Sequence, residues 1–489
     1  MGMGRHNTLI LLTDEQDAQA LSCAGHPFVN TPHMDALAAR GTRFTNAFTP
    51  SPICVPARAS LATGRWVHKI SYWDNAMGYD GRVLGWGHAL IAAGHRVESI
   101  GKLHYANEQA PTGFTEQHDP LHLADGVGQV WGSVRNPLPD EPRPSKLFDQ
   151  LGSGESSYNR YDMASATQAA QWLRERASQG VREGDAPPWT LFVGIVAPHF
   201  PLVVPQKYID QIDIERIPLP RLHPESGVPR HPWVQRHADF SNADAELGTP
   251  ERRRYALACY YALVNFIDEQ IGIVLQALDQ TGLQHNTRVI LSSDHGDNQG
   301  VRGMWNKSTL YREATNIPMI IAGPGIPQAQ VRTTNVNLID IAPTVLDNAG
   351  LESDATLPGE SLSSLARKPN DPQRMGFSEY HAVGSPSAAY MLRQGNWAYH
   401  HYVGYEPELF NVRTDPEQTT NLAQQTQHAK TLALFETKLR EQLDPKETDR
   451  RAKADQDELV ARFGGRQAAL KIGAPGASPV PTRTLTPKC

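Results

Sequence analysis

The feature that most constrains the fold of this chain is an alternation of strand-like and helical segments over roughly its first 370 residues. Short apolar runs with the length of buried strands are separated by stretches of helical spacing, and the apolar positions of 251–281 predict a long helix that ends at Gly282. Such alternation is typical of a large, mainly parallel sheet flanked by helices, the α/β class. The clearest predicted strands are Leu9 to Leu12, Val97 to Ile100, Thr190 to Val196, Val289 to Leu291 and Pro318 to Ile321.

The character of the sequence changes near Met375, which predicts a second structural unit. Short aromatic strands such as Trp397 to Tyr402 are followed by a helix from about Gln427 to Leu443. The last residues are rich in Gly, Pro, Ala and Thr, and we expect them to be disordered or to form an arm over a neighbouring subunit. The expected division is a main domain over 1–374, a smaller α+β subdomain over 375–463 and a tail over 464–489.

Composition and charge exclude several classes of protein. A formal net charge of −6 gives no electrostatic footprint for nucleic acid, so an anionic substrate must be attracted by a local cationic pocket. No apolar run reaches the roughly 18 residues of a membrane span, and the run Thr8 to Thr13 is too short for the core of a signal peptide. The four cysteines show no paired spacing and suit a reducing compartment, so we expect a cytoplasmic protein.

The segment from Cys54 to Gly64 carries the strongest chemical signal in the chain. Pro56 suits the first turn of a helix, which places Cys54 at or just before the helix N-terminus. The amide groups and the dipole there stabilise negative charge on the atom that Cys54 carries, and the permanently charged Arg58 lies about one turn further along. A buried structural cysteine is the alternative for an arbitrary thiol, but the whole spaced pattern favours a reactive residue.

This segment resembles the signature of the formylglycine-dependent (type I) sulfatases of the alkaline phosphatase superfamily. That signature places Cys, Pro and Arg at alternate positions before Leu-Ala-Thr-Gly, here Cys54, Pro56, Arg58 and residues 61–64. The resemblance implies that a formylglycine-generating maturation enzyme oxidises the cysteine in the unfolded chain. The aldehyde hydrates to a diol, one hydroxyl attacks sulfur, and the other later expels sulfate as the aldehyde forms again. The C-terminal unit is similar to the smaller subdomain of this family, a short antiparallel sheet with a helix.

Hard metal ligands follow two of the predicted strands. Asp14 comes directly after the first strand, and Asp294 and His295 follow the strand near 289–291, so they can meet at the carboxyl edge of one sheet. Each aspartate alone is explained as well by an Asx turn or a helix cap. Together with Cys54 they resemble the family's metal site, where the ion would bind the diol and a sulfate oxygen. We expect one divalent ion, Ca²⁺ or Mn²⁺, and leave the role of Glu15 open.

A group of cationic and imidazole side chains completes the pattern implied by the family. Lys102 and His104 form a Gly-Lys-x-His motif after a predicted strand, where the lysine and Arg58 would orient the diol and the histidine would drive turnover. His199 matches a sulfate-binding histidine, and Lys307 matches a lysine that contacts the sulfate and the leaving oxygen. Each residue alone is readily explained as a loop side chain, but the four occur in the order of the family.

Within the family, this chain looks most like the choline sulfatases and the related phosphonate monoester hydrolases. Asn75 would then donate to a sulfate oxygen, although an Asx turn at Asp74 and Asn75 explains the pair equally well. A quaternary ammonium substrate would require an aromatic cage. Its candidate residues are Trp73, Tyr79, Trp86, Tyr105 and Trp131.

The function that the sequence predicts is a sulfuric ester hydrolase acting on a small anionic sulfate ester. The same pocket suits a tetrahedral anion centred on phosphorus, so a phosphonate monoester or phosphodiester hydrolase is the first alternative. A catalytically silent, sulfatase-like binding protein is the second alternative, and it would keep Cys54 as a thiol. The composition of the tail favours a homo-oligomer, and the resemblance to a family whose members commonly form oligomers implies the same.

Overall fold

The computed structural model describes residues 5–143, 146–179, 187–473 and 478–481, and a large eight-stranded sheet lies at its centre. In chain order the strands are β1 (Asn7–Asp14), β2 (Gly41–Phe44), β3 (Ala47–Phe48), β4 (Arg96–Lys102), β5 (Glu116–Leu121), β6 (Leu151–Ser153), β7 (Trp189–Pro198), β8 (Leu202–Val204), β9 (Thr287–Ser293), β10 (Met319–Ala322), β11 (Gln330–Arg332), β12 (Val336–Asn337), β13 (Gly376–Tyr380), β14 (Ala389–Gln394), β15 (Trp397–Tyr402) and β16 (Glu408–Asn411).

The large sheet has the strand order β11-β2-β10-β9-β1-β7-β4-β5. Within the described ranges, β10 is its one strand that runs antiparallel to its neighbours. The expected α/β fold with a mainly parallel sheet is therefore confirmed, and the five predicted core strands are β1, β4, β7, β9 and β10. Since β9, β1, β7 and β4 are adjacent and parallel, the residues that follow them meet at one edge of the sheet.

Helices cover both faces of this sheet. The helices of the described residues, including those of the C-terminal unit, are in chain order α1 (Pro32–Ala39), α2 (Cys54–Thr63), α3 (Val67–Ile70), α4 (Trp86–Ala92), α5 (Ser157–Ser178), α6 (Gln206–Ile209), α7 (Pro232–Phe240), α8 (Asp244–Leu247), α9 (Pro250–Gln280), α10 (Arg312–Thr315), α11 (Ile341–Ala349), α12 (Leu362–Arg367), α13 (Ala429–Gln442), α14 (Pro445–Arg462) and α15 (Arg466–Ala469). The long helix predicted over 251–281 is α9, and Gly282 follows it with a φ of 75°.

The hydrophobic core lies on both faces of the sheet because the side chains of β1 alternate between them. Leu9 and Leu11 pack with residues of α5 and α9 on one face, whereas Ile10 and Leu12 pack with α2 and α11 on the other. All residues of β1 are buried. A nearly continuous apolar run is what a parallel sheet covered on two faces requires, and it ends where the chain turns polar at Asp14.

A four-stranded antiparallel sheet, β13-β14-β15-β16, forms the C-terminal unit, and α13 packs on it through Phe435 and Leu439. The predicted aromatic strand is β15 and the predicted helix is α13. Helix α14 was not predicted, because its buried face includes polar residues such as Asp449 and Gln456 and so lacks an apolar stripe. The domain boundaries at 374 and 463 stay predictions.

The described part of the C-terminal tail packs on its own chain. The amide of Trp131 donates to the carbonyl of Ile472 at 3.2 Å, and Val480 lies in a buried cluster with Leu121 and Tyr158. Residues 464–473 and 478–481 therefore make intramolecular contacts, and the remainder of the tail lies outside the described residues. The expectation of a disordered tail or an inter-subunit arm stays a prediction. Within the described part of the chain, no helix has the length and apolar character needed to cross a membrane.

Candidate active site

Cys54 is the first residue of α2 and is 1% exposed. The side-chain oxygen of Asn75 accepts a hydrogen bond from the amide of Val55 at 3.1 Å, so it satisfies one free donor of the first helical turn. Burial, together with the charge of Asp14, raises the pKa of the Cys54 thiol to about 12. The unmodified side chain is therefore a neutral thiol and a poor nucleophile.

Four buried side chains converge beside the start of α2. Asp14 ends β1, Asp294 and His295 directly follow β9, and a ligand atom of each lies within 4.8 Å of the others and of Cys54 Sγ. His295 Nε2 is 3.2 Å from Cys54 Sγ, 3.8 Å from Asp14 Oδ1 and 3.6 Å from Asp294 Oδ1. The other ring nitrogen, Nδ1, is 3.0 Å from the carbonyl of Gly296, to which it can donate, so Nε2 is the nitrogen that can bind an ion. This mixed oxygen and nitrogen donor set fits one divalent ion.

Arg58 and Lys102 bind the outer oxygens of the same carboxylates. Arg58 donates to Asp14 Oδ2 at 2.9 Å and to Asp294 Oδ2 at 2.7 Å, and Lys102 Nζ is 2.6 Å from Asp14 Oδ2. Burial alone would raise the pKa of Asp14, but the charges of Lys102 and Arg58 hold it well below its usual range. The two cations thus keep Asp14 ionised and leave Oδ1 of both aspartates turned toward the candidate metal site. The expected contact of Arg58 and Lys102 with a formylglycine diol stays a prediction.

Glu15, whose role the sequence left open, contacts the side chains expected to bind sulfate. Its Oε2 is 2.8 Å from Lys307 Nζ and 3.4 Å from His199 Nε2. Burial would lower the pKa of Lys307, but the negative charges of Cys54 when it is ionised and of the carboxylates of Glu15 and Asp14 raise it above the ordinary value. Lys307 is therefore a protonated donor. The ion pair with Lys307 gives Glu15 a partner other than a metal ion.

His104 follows β4 with a φ of 60°, a conformation that costs a non-glycine residue energy and often marks a functional site. Its Nε2 is 2.9 Å from Ser478 Oγ, whereas Nδ1 is buried and has no hydrogen-bond partner among the described residues. Burial, with the charges of Lys102 and Arg58, lowers the pKa of His104 well below its usual value. The ring is thus a neutral imidazole with one nitrogen available for proton transfer.

These groups lie at the bottom of one cleft of about 920 Å³, measured out to its open mouth. The predicted residues that line the cleft are Cys54, Asn75, Lys102, His104, His199 and Lys307. Those buried around its bottom are Asp14, Arg58, Asp294 and His295. The structure therefore brings all the predicted side chains together, while their catalytic roles stay predictions.

Of the five candidates for an aromatic cage, only Trp131 lines the cleft. Trp73 is fully buried and donates its indole N–H to Asp455 of α14 at 2.6 Å. Tyr79, Trp86 and Tyr105 belong to the core cluster on the α2 face of the sheet. The face of Trp131 is covered by Arg143, whose Cζ is 3.9 Å from the ring centroid. These candidates therefore do not assemble into a cage.

Sequence reasoning missed Gln129, Arg143 and Ser478, which also line the cleft. Gln129 accepts a hydrogen bond from the side-chain amide of Asn75 at 3.3 Å. Arg143 lies in a stretch rich in Pro and charged residues, a composition typical of a surface insertion. That composition is the one sequence signal that indicates a loop near the cleft. Ser478 lies in a tail without periodicity. The Asx turn considered for this region is made by Asp74, which accepts from the amide two residues further on at 2.9 Å.

The fold and the site together define an α/β protein with a mainly parallel sheet, in which Cys54 lies beside a candidate metal site at the bottom of a cleft. The chain belongs to the sulfatase family, because the family model described as Sulfatase matches residues 6–351. A second model, described as N-sulphoglucosamine sulphohydrolase, C-terminal, matches residues 300–445. These matches confirm the family suggested by the Cys54 segment.

Two curated relatives and one solved structure illustrate the likeness. The chain is 30% identical over 446 residues to a choline-sulfatase from Rhizobium meliloti, which covers 87% of this chain and 83% of that protein. It is 29% identical over 446 residues to an arylsulfatase K from Bos taurus, with 85% and 78% covered. A phosphonate monoester hydrolase of Agrobacterium radiobacter superposes with a TM-score of 0.72 at 23% identity, covering 89% of this chain and 95% of that one. At that identity the solved structure shows the fold alone.

Proposed function

We propose that this chain hydrolyses a sulfate monoester with a formylglycine derived from Cys54 and one divalent ion, Ca²⁺ or Mn²⁺. The observation that carries the proposal is the convergence of Cys54 Sγ with Oδ1 of Asp14, Oδ1 of Asp294 and Nε2 of His295. This cluster lies at the bottom of a cleft lined by Lys102 and Lys307, which suits a substrate with negative charge. Membership in the sulfatase family supports the same chemistry.

The proposed mechanism needs a divalent metal ion and a formylglycine, and the chain has residues suited to bind the ion and to form the formylglycine. A bound divalent ion would be held by Asp14, Asp294, His295 and the side chain at position 54, and it would neutralise charge on the nucleophile and on a sulfate oxygen. The formylglycine hydrate would supply one hydroxyl that forms a bond to sulfur and a second hydroxyl whose deprotonation releases sulfate.

Lys307 and His199 are placed to bind the sulfate and the leaving oxygen. Lys307 is protonated, and its ammonium group already binds a carboxylate oxygen of Glu15, so it can bind an anionic oxygen of the substrate in the same way. His199 lies against the same carboxylate at 3.4 Å. Charge that develops on the leaving oxygen as its bond to sulfur breaks would be neutralised by the proton or charge of Lys307.

His104 is the residue best suited to accept a proton during turnover. It is neutral because its pKa lies well below the usual value, and its buried Nδ1 has no partner among the described residues. Asn75 is held at the start of α2 by its contact with the amide of Val55, so its NH₂ group is fixed at the cleft for a sulfate oxygen. Arg58 and Lys102 keep Asp14 ionised for the metal ion.

Maturation must precede folding, because Cys54 is 1% exposed in the folded chain. A formylglycine-generating enzyme would therefore act on the unfolded segment. The cysteines within the described ranges, Cys23, Cys54 and Cys259, are free thiols, which supports our proposal of a cytoplasmic location. The homo-oligomer stays a prediction, and sedimentation analysis tests it.

A phosphonate monoester hydrolase is the second candidate, favoured by the fold shared with the Agrobacterium radiobacter enzyme. A tetrahedral anion centred on phosphorus meets the same cations and the same nucleophile position. The two candidates differ in the central atom of the preferred substrate and not in the site.

The test compares 4-nitrophenyl sulfate with 4-nitrophenyl methylphosphonate, which share one leaving group, on protein whose Cys54 has been converted by a maturation enzyme. We expect the larger kcat/KM for the sulfate and one equivalent of Ca²⁺ or Mn²⁺ by elemental analysis. A much faster phosphonate reaction would replace the first candidate by the second. The Cys54→Ala variant is the control, and it should lose turnover of both substrates while keeping the fold, since alanine fits the buried position.

A further inference from the structure

Arg143 is a cation that lines the cleft and has no acidic partner among the residues that the structure describes. Its guanidinium stacks over Trp131, and its Nη1 donates to the backbone carbonyl of Leu470 at 3.1 Å. Burial lowers the pKa of this guanidinium, and no carboxylate of the described residues contributes to the shift. Among the residues that the structure describes, none forms an ion pair with Arg143. An arginine that is half-buried yet unpaired is unusual, because desolvation of its charge is not offset by a counter-ion.

The contacts of Arg143 fix its position without neutralising it. The stack on Trp131 and the bond to Leu470 hold the side chain, and the amide of Arg143 donates to the carbonyl of Phe240 at 2.9 Å and so anchors its backbone. A guanidinium has five N–H donors in a planar fork, and the carbonyl of Leu470 takes only one. The rest of the fork is preorganised for a planar or tetrahedral anion.

The basic side chains that line the cleft differ in burial and in contacts. Lys102, His199 and Lys307 are at most 6% exposed, as is Cys54, whereas Arg143 is only half-buried and contacts Trp131. Phe240 and Trp305 extend the aromatic lining, and no aspartate or glutamate is among the described lining residues. The cleft thus offers two cationic positions and aromatic surface, an arrangement for an organic group with negative charge beyond the reacting sulfate.

We propose that the substrate carries, in addition to the scissile sulfate, a second anionic group that Arg143 binds. This inference rests on the proposed sulfatase function and names its substrate class, a ring-bearing sulfate ester with a carboxylate or a further sulfate. It also disfavours choline sulfate, because Arg143 covers the aromatic face of Trp131 on which a quaternary ammonium would lie.

The test uses substrate pairs that differ only in the remote group, with full-length protein carrying formylglycine. The first pair is 4-(sulfooxy)phenylacetate and its methyl ester, and the second is 4-(2-sulfooxyethyl)phenyl sulfate and 4-(2-hydroxyethyl)phenyl sulfate. Release of the phenol is measured for all four, and choline sulfate is assayed by sulfate release. We expect the anionic member of at least one pair to have a kcat/KM at least about 10-fold higher, and the responding pair identifies the group.

Arg143→Gln should abolish this preference by raising KM for the anionic member. Its kcat for the anionic member and its kcat/KM for the neutral member should stay within about twofold of wild type. Arg143→Lys should retain part of it, since a lysine keeps the charge without the fork. The matched control is Arg176→Ala, because Arg176 also stacks on a tryptophan, Trp172 at 5.1 Å, but does not line the cleft. This control should keep the full preference.

The outcomes separate the inference from the proposed function. Equal or faster turnover of the neutral members, a preference for choline sulfate, or an equal loss of both members in Arg143→Gln would overturn the second anion site and leave the sulfatase standing. A protein that carries formylglycine and hydrolyses none of these sulfate esters would overturn the proposed function itself.

Discussion

The floor and the wall of the cleft are built in different ways. The floor consists of Asp14, Cys54, Arg58, Lys102, Asp294 and His295, which lie at strand ends or on α2 and are at most 2% exposed. The wall consists of segments 129–143 and 237–243 with Ser478, and much of it is irregular chain. Charges on the floor are paired, whereas Arg143 on the wall forms no ion pair within the described ranges. We therefore propose that the sheet positions the catalytic groups and that the loops and the tail select the substrate.

The largest effect is expected from Asp294→Asn on the floor. This change weakens the candidate metal site and removes the charge that pairs with Arg58 at 2.7 Å. We expect loss of the bound ion, a fall in kcat/KM of at least about 100-fold, and a loss of roughly 3 kcal/mol in the free energy of unfolding. Elemental analysis, kinetics and denaturant unfolding measure the three quantities.

The matched control is Asp244→Asn next to the wall. Asp244 is also a buried aspartate, and it pairs with Arg253 at 2.7 Å, but it belongs to no candidate metal site. Its replacement should lower stability while the metal content stays at one ion per chain. Loss of the metal from both variants would show that the floor and the wall are not independent.

The next largest effect is the dependence of kcat/KM on pH, which follows from the neutral state of His104. Because its pKa is held well below 6.5, protonation of the ring should lower kcat/KM only below that pH, by about 10-fold per pH unit beyond the pKa. The profile of kcat/KM against pH measures this limb. An acid limb centred at or above pH 6.5 would show that His104 is not the group that accepts the proton.

Thermal melting must accompany that profile, because the wall contains a second buried imidazole. Burial lowers the pKa of His237 to about 4, so the unfolded chain takes up this proton at a higher pH than the folded chain does. Its contribution to stability is complete above pH 6.5 and is lost as the pH falls toward 4. The activity limb is interpreted only where the fold is intact.

The smallest effect on activity is expected from Ser478→Ala. Ser478 belongs to the wall and contacts His104, so it connects the wall with the catalytic groups. The Ser478 hydroxyl lies 2.9 Å from His104 Nε2, so its removal should leave the ring less well oriented. We expect kcat to fall by about fivefold, the effect of roughly 1 kcal/mol, with little change in KM. Ser478→Thr keeps the hydroxyl and should restore most of the rate. A change in KM alone would indicate that the tail acts on binding and not on His104.

The fold and the floor could be predicted from the sequence because both follow from short-range patterns. Apolar runs such as Leu9 to Leu12 mark strands of the parallel sheet, and polar residues such as Asp14 directly follow them. Pro56 and Gly64 mark the ends of α2, and the structure places Cys54 at its first position. Local signals therefore define which residues meet at the sheet edge.

The wall could not be predicted because its contacts join distant parts of the chain. Ser478 reaches His104 across more than three hundred residues, and Leu470 contacts Arg143 over a similar separation. Trp73, a candidate for the cage, instead binds Asp455 of a helix whose buried face is partly polar. Periodicity carries no information about such pairs, so only the folded structure shows which aromatic and charged residues line the cleft.

The formylglycine mechanism is tested most directly by peptide mass spectrometry of the Cys54 segment in protein from its native host, with sulfate ester turnover measured on the same sample. We expect Cys54 to be present as the aldehyde or its hydrate and kcat per chain to rise in proportion to the converted fraction. Active protein with a wholly unmodified thiol at position 54 would contradict this mechanism.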